Sequence, residues 1–216
     1  SEYPKISMIF RSIPSQLSRE NKKFLYKVVK KGARAREYED ALQWLVDAGI
    51  VHKIYRSTAP SLPLIAYDDI SAFKIYLADV GLLRKLCQLS PRAFGEKNRL
   101  FTEFKGALTE NFVLQSLICQ SDLTPRYWSQ NNPSYEVDFL VQKENDIYPV
   151  EVKAESNTRA TSLKKFKELF SDKVKLRIRY SLDNLKLDGD VLNIPLFMID
   201  YTDSLIKLAL NKLGQS

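Results

Sequence analysis

The stretch YEVDFLVQKENDIYPVEVKA, residues 135–154, constrains the chain more than any other. It holds two segments that alternate between apolar and polar residues, the period of a β-strand. The polar connection QKEND between them has the length of a hairpin loop. Alternation puts Tyr135, Val137, Phe139 and Val141 on one face of the first strand, with Glu136, Asp138 and Leu140 opposite. In the second, Tyr148, Val150, Val152 and Ala154 share one face, and Glu151 and Lys153 share the other. An ionised carboxylate withdrawn from water is costly unless it has a partner. Two acids on one face of such a hairpin therefore call for a cation.

The register follows from the turn. If it centres between Glu144 and Asn145, facing positions sum to 289. Asp138 then stands opposite Glu151, with Cβ atoms about 5 Å apart. Lys153 is one candidate for the compensating cation, and a divalent metal held by hard carboxylate oxygens is the other. A slip of one residue would turn the two acids to opposite faces. A third acid, Glu110, lies on the predicted helix FTEFKGALTENFVLQSLICQ, residues 101–120. Its helical neighbours are Ala107, Val113, Leu114 and Leu117, the face expected to pack on the sheet. A glutamate on such a face alone reads as a rim residue; beside Asp138, Glu151 and Lys153 it reads as part of a site.

The chemistry that needs this set is metal-assisted phosphodiester hydrolysis. Two or three carboxylates hold Mg²⁺ or Mn²⁺, which polarises the phosphate and acidifies an attacking water. A nearby ammonium places that water and stabilises charge developing on the phosphate. Glu151-Val152-Lys153 supplies a ligand and an ammonium side by side.

The rest of the pattern predicts an α+β chain of two domains. Residues 1–90 carry helices, clearest over REYEDALQWLVDAG, where Tyr38, Ala41, Leu42, Leu45 and Val46 recur at helical spacing and Gly49 stands just past the end. SRENKKFLYKVVKKG reads as a shorter helix ending near Gly32. IVHKIYRS then reads as a strand and AFKIYLADVGLL as a returning strand leading into a helix, so helices are followed by a two-stranded hairpin, the order of a winged helix-turn-helix. A break at LSPRAFGEKNR, residues 89–99, separates this part from residues 100–216. There a helix, three strands, a helix, two strands (KLRIRYS and NIPLFMID) and a final helix predict an α/β sandwich on a mixed central sheet.

Composition narrows the function classes. His52, the one histidine, excludes a His-rich zinc site and stands in a strand, which argues against Ser-His-Asp or Cys-His catalysis. Cys87 and Cys119 lie in apolar helical patterns and read as buried free thiols of a reducing cytoplasm. No apolar run approaches the roughly 20 residues that cross a bilayer, and no charged-then-apolar stretch reads as a secretion signal. A cytoplasmic protein with no membrane partner is expected. The net charge of +7 is uneven: residues 1–100 carry 18 Lys and Arg against 10 Asp and Glu, and residues 101–216 carry 15 against 16. The basic first half permits a nucleic-acid partner. The helix over 34–48 exposes Glu37, Glu39, Asp40 and Asp47 beside Arg34 and Arg36, a poor face for a phosphate-lined groove. Lys22, Lys23, Lys27, Lys30 and Lys31, with Lys53 and Arg56 on the wing, are the candidate DNA contacts. The alternative is a solvated basic face on a domain that only packs against neighbours.

The order helix-Glu110, strand-Asp138, strand-Glu151-x-Lys153 resembles the PD-(D/E)xK nuclease superfamily, with its restriction-endonuclease-like fold. By that likeness Glu110 is the helical acid, Asp138 and Glu151 are metal ligands, and Lys153 is the catalytic lysine. No proline precedes Asp138 at the motif's nominal position. Over nearly its whole length the chain also resembles the C-terminal half of prokaryotic AAA-type ATPases. The segments that carry this are SIPSQLSRENKKFLYKVVKKGARAREYEDALQWLVDAGIVHKI, FKIYLADVGLL, GALTENFVLQ, EVDFLV and YPVEVKA. The resemblance implies an ATPase module before a winged helix and a nuclease-like domain of unknown function. The chain has no G-x-x-x-x-G-K-[ST], so no ATP site is expected within it, and with no initial Met it reads as a piece of a longer protein. Three readings follow: a Mg²⁺-dependent DNA nuclease module gated by an ATPase, an inert nuclease-like fold that binds DNA or assembles the ATPase, and a winged-helix regulator. All leave room for a homo-oligomer.

Overall fold

The computed structural model describes residues 2–19, 22–90, 102–120, 124–131, 134–154 and 161–214. Within them the protein is α+β, with seven α-helices and a mixed eight-stranded sheet. It divides into two compact units, Ser1–Ile54 with Ser71–Gln115, and Tyr55–Ile70 with Ser116–Ser216. The break expected at 89–99 falls almost wholly on residues outside the described ones.

In the first unit α1 (Tyr3–Leu17) packs on α3 (Ala35–Asp47). Ile9, Ile13, Gln16 and Leu17 of α1 are buried at helical spacing, and α3 buries the expected Tyr38, Ala41, Leu42 and Leu45. Gly49 takes φ 67° past the end of α3, where Ile50 N–H bonds Leu45 O and Gly49 N–H bonds Val46 O, a Schellman stop. Between them α2 (Tyr26–Val29) is far shorter than the helix expected up to Gly32. The approach to α2 is claimed by tertiary bonds instead. Phe24 N–H donates to Phe73 O at 2.8 Å, and the Gln16 amide pairs with both backbone groups of Leu25. Strands β1 (Val51–Ser57) and β2 (Asp68–Leu77) follow, then α4 (Val80–Leu86) and the long α5 (Thr102–Gln120). Asn111 on α5 is fully buried and bonds both the N–H and the C=O of Leu77, as a neighbouring strand would.

The sheet has the order β2-β1-β3-β4-β5-β6-β8-β7, and its strands later in the chain than β1 and β2 all belong to the second unit. Its other strands are β3 (Arg126–Asn131), β4 (Ser134–Lys143), β5 (Asp146–Val152), β6 (Arg177–Ser181), β7 (Lys186–Asp188) and β8 (Val191–Pro195). β3, β4 and β5 form an antiparallel meander, while β5, β6 and β8 run parallel. α6 (Thr161–Leu169) covers one face, burying Leu163 and Phe166 against Val137, Leu140 and Ile147. Trp128 meets Phe166 and Phe170 edge-on there, at 5.1 and 5.8 Å between ring centroids. Such pairs add about 1 kcal/mol each beyond their burial. The opposite face of β4, β5 and β6, through Val141, Val150 and Ile178, lines a cavity of about 300 Å³ with Ile206 of α7 (Thr202–Gly214).

Three further expectations are corrected. NIPLFMID is not one strand: pairing stops at Pro195, and Leu196–Tyr201 form a 3-10 turn with Phe197 84% exposed. The cysteines are free thiols, but Cys119 is exposed and Cys87 only half-buried. Burial still pushes the Cys87 thiol up to about 11. Strict alternation along β4 also fails, for a reason that bears on the site. Among the described residues no helix is long and apolar enough to cross a membrane.

Candidate functional site

The β4–β5 ladder runs from Lys143↔Asp146 to Phe139↔Val150, every pair summing to 289. The two-residue turn, Glu144-Asn145, sits where the arithmetic puts it, with Glu144 at φ 52°. The ladder ends there, and Asp138 and Glu151 are the next residues of the two strands beyond its last pair. On its other edge β4 is irregular. Trp128 faces Val137 while Arg126 faces Leu140, so three steps on β4 oppose two on β3. The extra residue falls at Asp138–Phe139, a β-bulge. It rotates the strand enough for Val137 and Leu140 to enter the same core cluster under α6, which alternation forbids. Bulges re-aim side chains, and this one occurs at the acid. The Asp138 carboxylate reaches across to β5, where Oδ2 accepts the Val152 N–H at 2.7 Å.

Glu151 is 4% exposed. Its Oε1 lies 2.8 Å from Nζ of Lys153, two residues on and so on the same strand face. Its Oε2 is buried and has no hydrogen-bond partner among the described residues. A buried carboxylate oxygen left unsatisfied costs about 1–3 kcal/mol. Lys153 is half-buried, and its backbone N–H donates to Tyr180 O at 2.8 Å, which anchors the end of β5 to β6.

The sheet register extends this row beyond the expected residues. Glu151 faces Arg179 on β6, and Arg179 faces Asn193 on β8. Arg179 Nε–H donates to Asn193 Oδ1 at 2.8 Å. In the sequence KLRIRYS reads only as a strand. The available signal was its alternation, with Arg177 and Arg179 on one face and buried Ile178 and Tyr180 on the other. Arg177 is taken up by an ion pair with Asp190.

Glu110 belongs to the first unit. It is 5% exposed, salt-bridged to Lys22 and hydrogen-bonded by the Tyr76 hydroxyl at 3.2 Å. Burial alone would raise its carboxyl. The charges of Lys22 and Lys74 and the bonds from Lys22 and Tyr76 outweigh that and hold it below the usual carboxylate range. Among the described residues no three His, Cys, Asp or Glu side chains gather closely enough to hold a metal ion.

The candidate DNA contacts separate in the same way. The ammonium of Lys22 is committed to Glu110, Lys53 lies 4.4 Å over the Phe73 ring, and Arg56 pairs with Asp69. Lys23 is half-buried, whereas Lys27, Lys30 and Lys31 stand exposed on and just after α2. Burial lowers the His52 imidazole, as its place in β1 requires.

Comparison with known proteins finds two matching domain families of unknown function. Residues 1–93 match the model of a domain of unknown function, DUF8612, and residues 105–197 match that of another, DUF4143. Over 122 residues the chain is 32% identical to the uncharacterized protein Rv2008c of Mycobacterium tuberculosis and, equally, to the uncharacterized protein Mb2031c of Mycobacterium bovis. That alignment takes in 56% of this chain and 25% of either relative. No solved structure matches the chain. By these matches the chain is similar to two domain families of unknown function.

Proposed function

We propose that the second unit carries a metal-dependent DNA nuclease centre of PD-(D/E)xK type, built on Asp138, Glu151 and Lys153. The observation that carries this reading is the buried Oε2 of Glu151, which has no hydrogen-bond partner among the described residues, on the strand whose Val152 N–H the Asp138 carboxylate accepts. The donor set fits Mg²⁺ or Mn²⁺, which needs only one or two carboxylates and completes its shell with water and phosphate oxygens. Bound there, the ion would polarise the phosphate and acidify a water. Asp138 and Glu151 hold their oxygens on paired strands, a rigid support for ligands. Lys153 holds the water and offsets charge on the phosphoryl oxygens from the same strand face as Glu151. The first unit, in this proposal, is a winged helix that contributes DNA contacts through Lys27, Lys30 and Lys31. The AAA-type ATPase module of the longer protein gates the nuclease.

The test uses supercoiled and single-stranded DNA with Mg²⁺ or Mn²⁺. The protein should cleave, Asp138→Ala and Lys153→Ala should each cut activity by on the order of 100-fold, and metal should raise the melting temperature. No cleavage together with no metal-induced thermal shift overturns the proposal.

A second reading has its own support. Asp138 already accepts the Val152 N–H, Glu151 already pairs with Lys153, and Glu110 already pairs with Lys22. An inert nuclease-like fold that docks DNA or assembles the ATPase would use these groups as staples. In the same assay it gives variants that lose stability from a parent that never cleaves.

A further inference from the structure

We infer that Arg179 is a phosphate-binding residue, aimed by Asn193, which grips the nucleic-acid backbone beside the Glu151 centre; this rests on the nuclease reading above. Three observations carry it. First, Arg179 stands at the register position of Glu151 on the next parallel strand, about 4.8 Å away in the sheet. Glu151 already has Lys153 at 2.8 Å. Arg179 therefore stands in the position next to the proposed metal-binding carboxylate, where substrate would bring its phosphate.

Second, the orientation of Arg179 is set by a saturated network. Asn193 is 2% exposed, and its Oδ1 accepts from Arg179 Nε at 2.8 Å and from Ser181 Oγ at 2.8 Å. Its Nδ2 donates to the carbonyl oxygens of Asp183 and Asn184 at 3.2 and 2.9 Å. All four hydrogen-bonding positions of the amide are used, so it can neither flip nor turn away. A buried asparagine held this firmly behind one guanidinium is the arrangement that pre-organises a binding group.

Third, the residue type fits. A guanidinium is planar, always charged and offers a fork of donors matched to two oxygens of a phosphate. The charges of Asp138, Glu151, Lys153 and Arg179 sum to zero.

The test measures binding apart from cleavage. Fluorescein-labelled single strands and duplexes of about 20 nucleotides, long enough to report several phosphate contacts, are titrated by anisotropy. Ca²⁺ replaces Mg²⁺ so that the strands stay whole. Arg179→Met should weaken binding about tenfold and lower the slope of log affinity against log salt by about 0.7–0.9, one phosphate contact. Arg179→Lys should restore the slope but only part of the affinity. Mn²⁺ affinity by calorimetry should match the parent. Unchanged affinity and slope in Arg179→Met overturn the assignment, even where the parent cleaves DNA. Loss of Mn²⁺ affinity together with a lower melting temperature also overturns it, because the residue is then structural. Arg179-dependent binding by a parent that never cleaves sinks the nuclease reading and leaves the phosphate assignment standing.

Discussion

Glu110 shows how a single residue's environment sets its behaviour. It was legible as a buried acid because Ala107, Val113, Leu114 and Leu117 surround it on the helix, and all four are buried. Its partners were not legible, because Lys22 lies 88 residues away and Tyr76 34 residues away. Those partners make it a stability determinant. Its carboxyl is held below the ordinary value, so the unfolded chain takes up the proton first as pH falls. The stabilisation is therefore present above the unfolded carboxylate range and lost as pH drops through the folded value. Glu110→Gln should remove about 3 kcal/mol at neutral pH, since Lys22 and buried Lys74 lose their carboxylate. It should also flatten the acid side of a melting-temperature profile against pH. An acid limb as steep as the parent's would show that other carboxylates govern it.

Whole elements were legible where local chemistry decides them and obscure where a neighbour does. The β4–β5 register followed from the turn alone, since a two-residue connection leaves little freedom to slip. The bulge at Asp138 did not, because it is a mismatch with β3 and shows only when both strands are aligned. Pro195 ended β8 for a local reason, its missing N–H, which the apolar run behind it disguised. The start of α4 is local as well. Asp79 caps it, with Oδ1 accepting the Leu82 N–H at 2.8 Å, and Gly81 is the residue that leaves room for it. A Cβ at Gly81 would stand 2.9 Å from that oxygen. Asp79→Ala should cost about 1 kcal/mol of stability, read from the midpoint of a urea denaturation curve. No shift in that midpoint would mean water caps the helix equally well.

At the scale of the whole molecule, charge and chemistry divide along the chain. Residues 1–100 carry the basic excess, while Asp138, Glu151, Lys153 and Arg179 lie in the near-neutral remainder. Of the basic residues singled out in the sequence, the ion pairs of Lys22 and Arg56 and the ring contact of Lys53 occupy three. Lys27, Lys30 and Lys31 are left as the exposed cluster, crowded into the short α2 and the turn that ends at Gly32. Ion release from DNA scales with the number of phosphates neutralised, so these lysines have a distinct signature. Replacing all three with Ala should weaken binding to duplexes of unrelated sequence by similar factors. The slope of log affinity against log salt should fall by up to about 2.7 if each lysine meets one phosphate. The metal-induced thermal shift assigned to the second unit should be untouched, because none of the three is near its carboxylates in sequence or belongs to that unit. If the salt slope stays that of the parent, the basic first half is a solvated surface, and strand binding must be sought in the second unit alone.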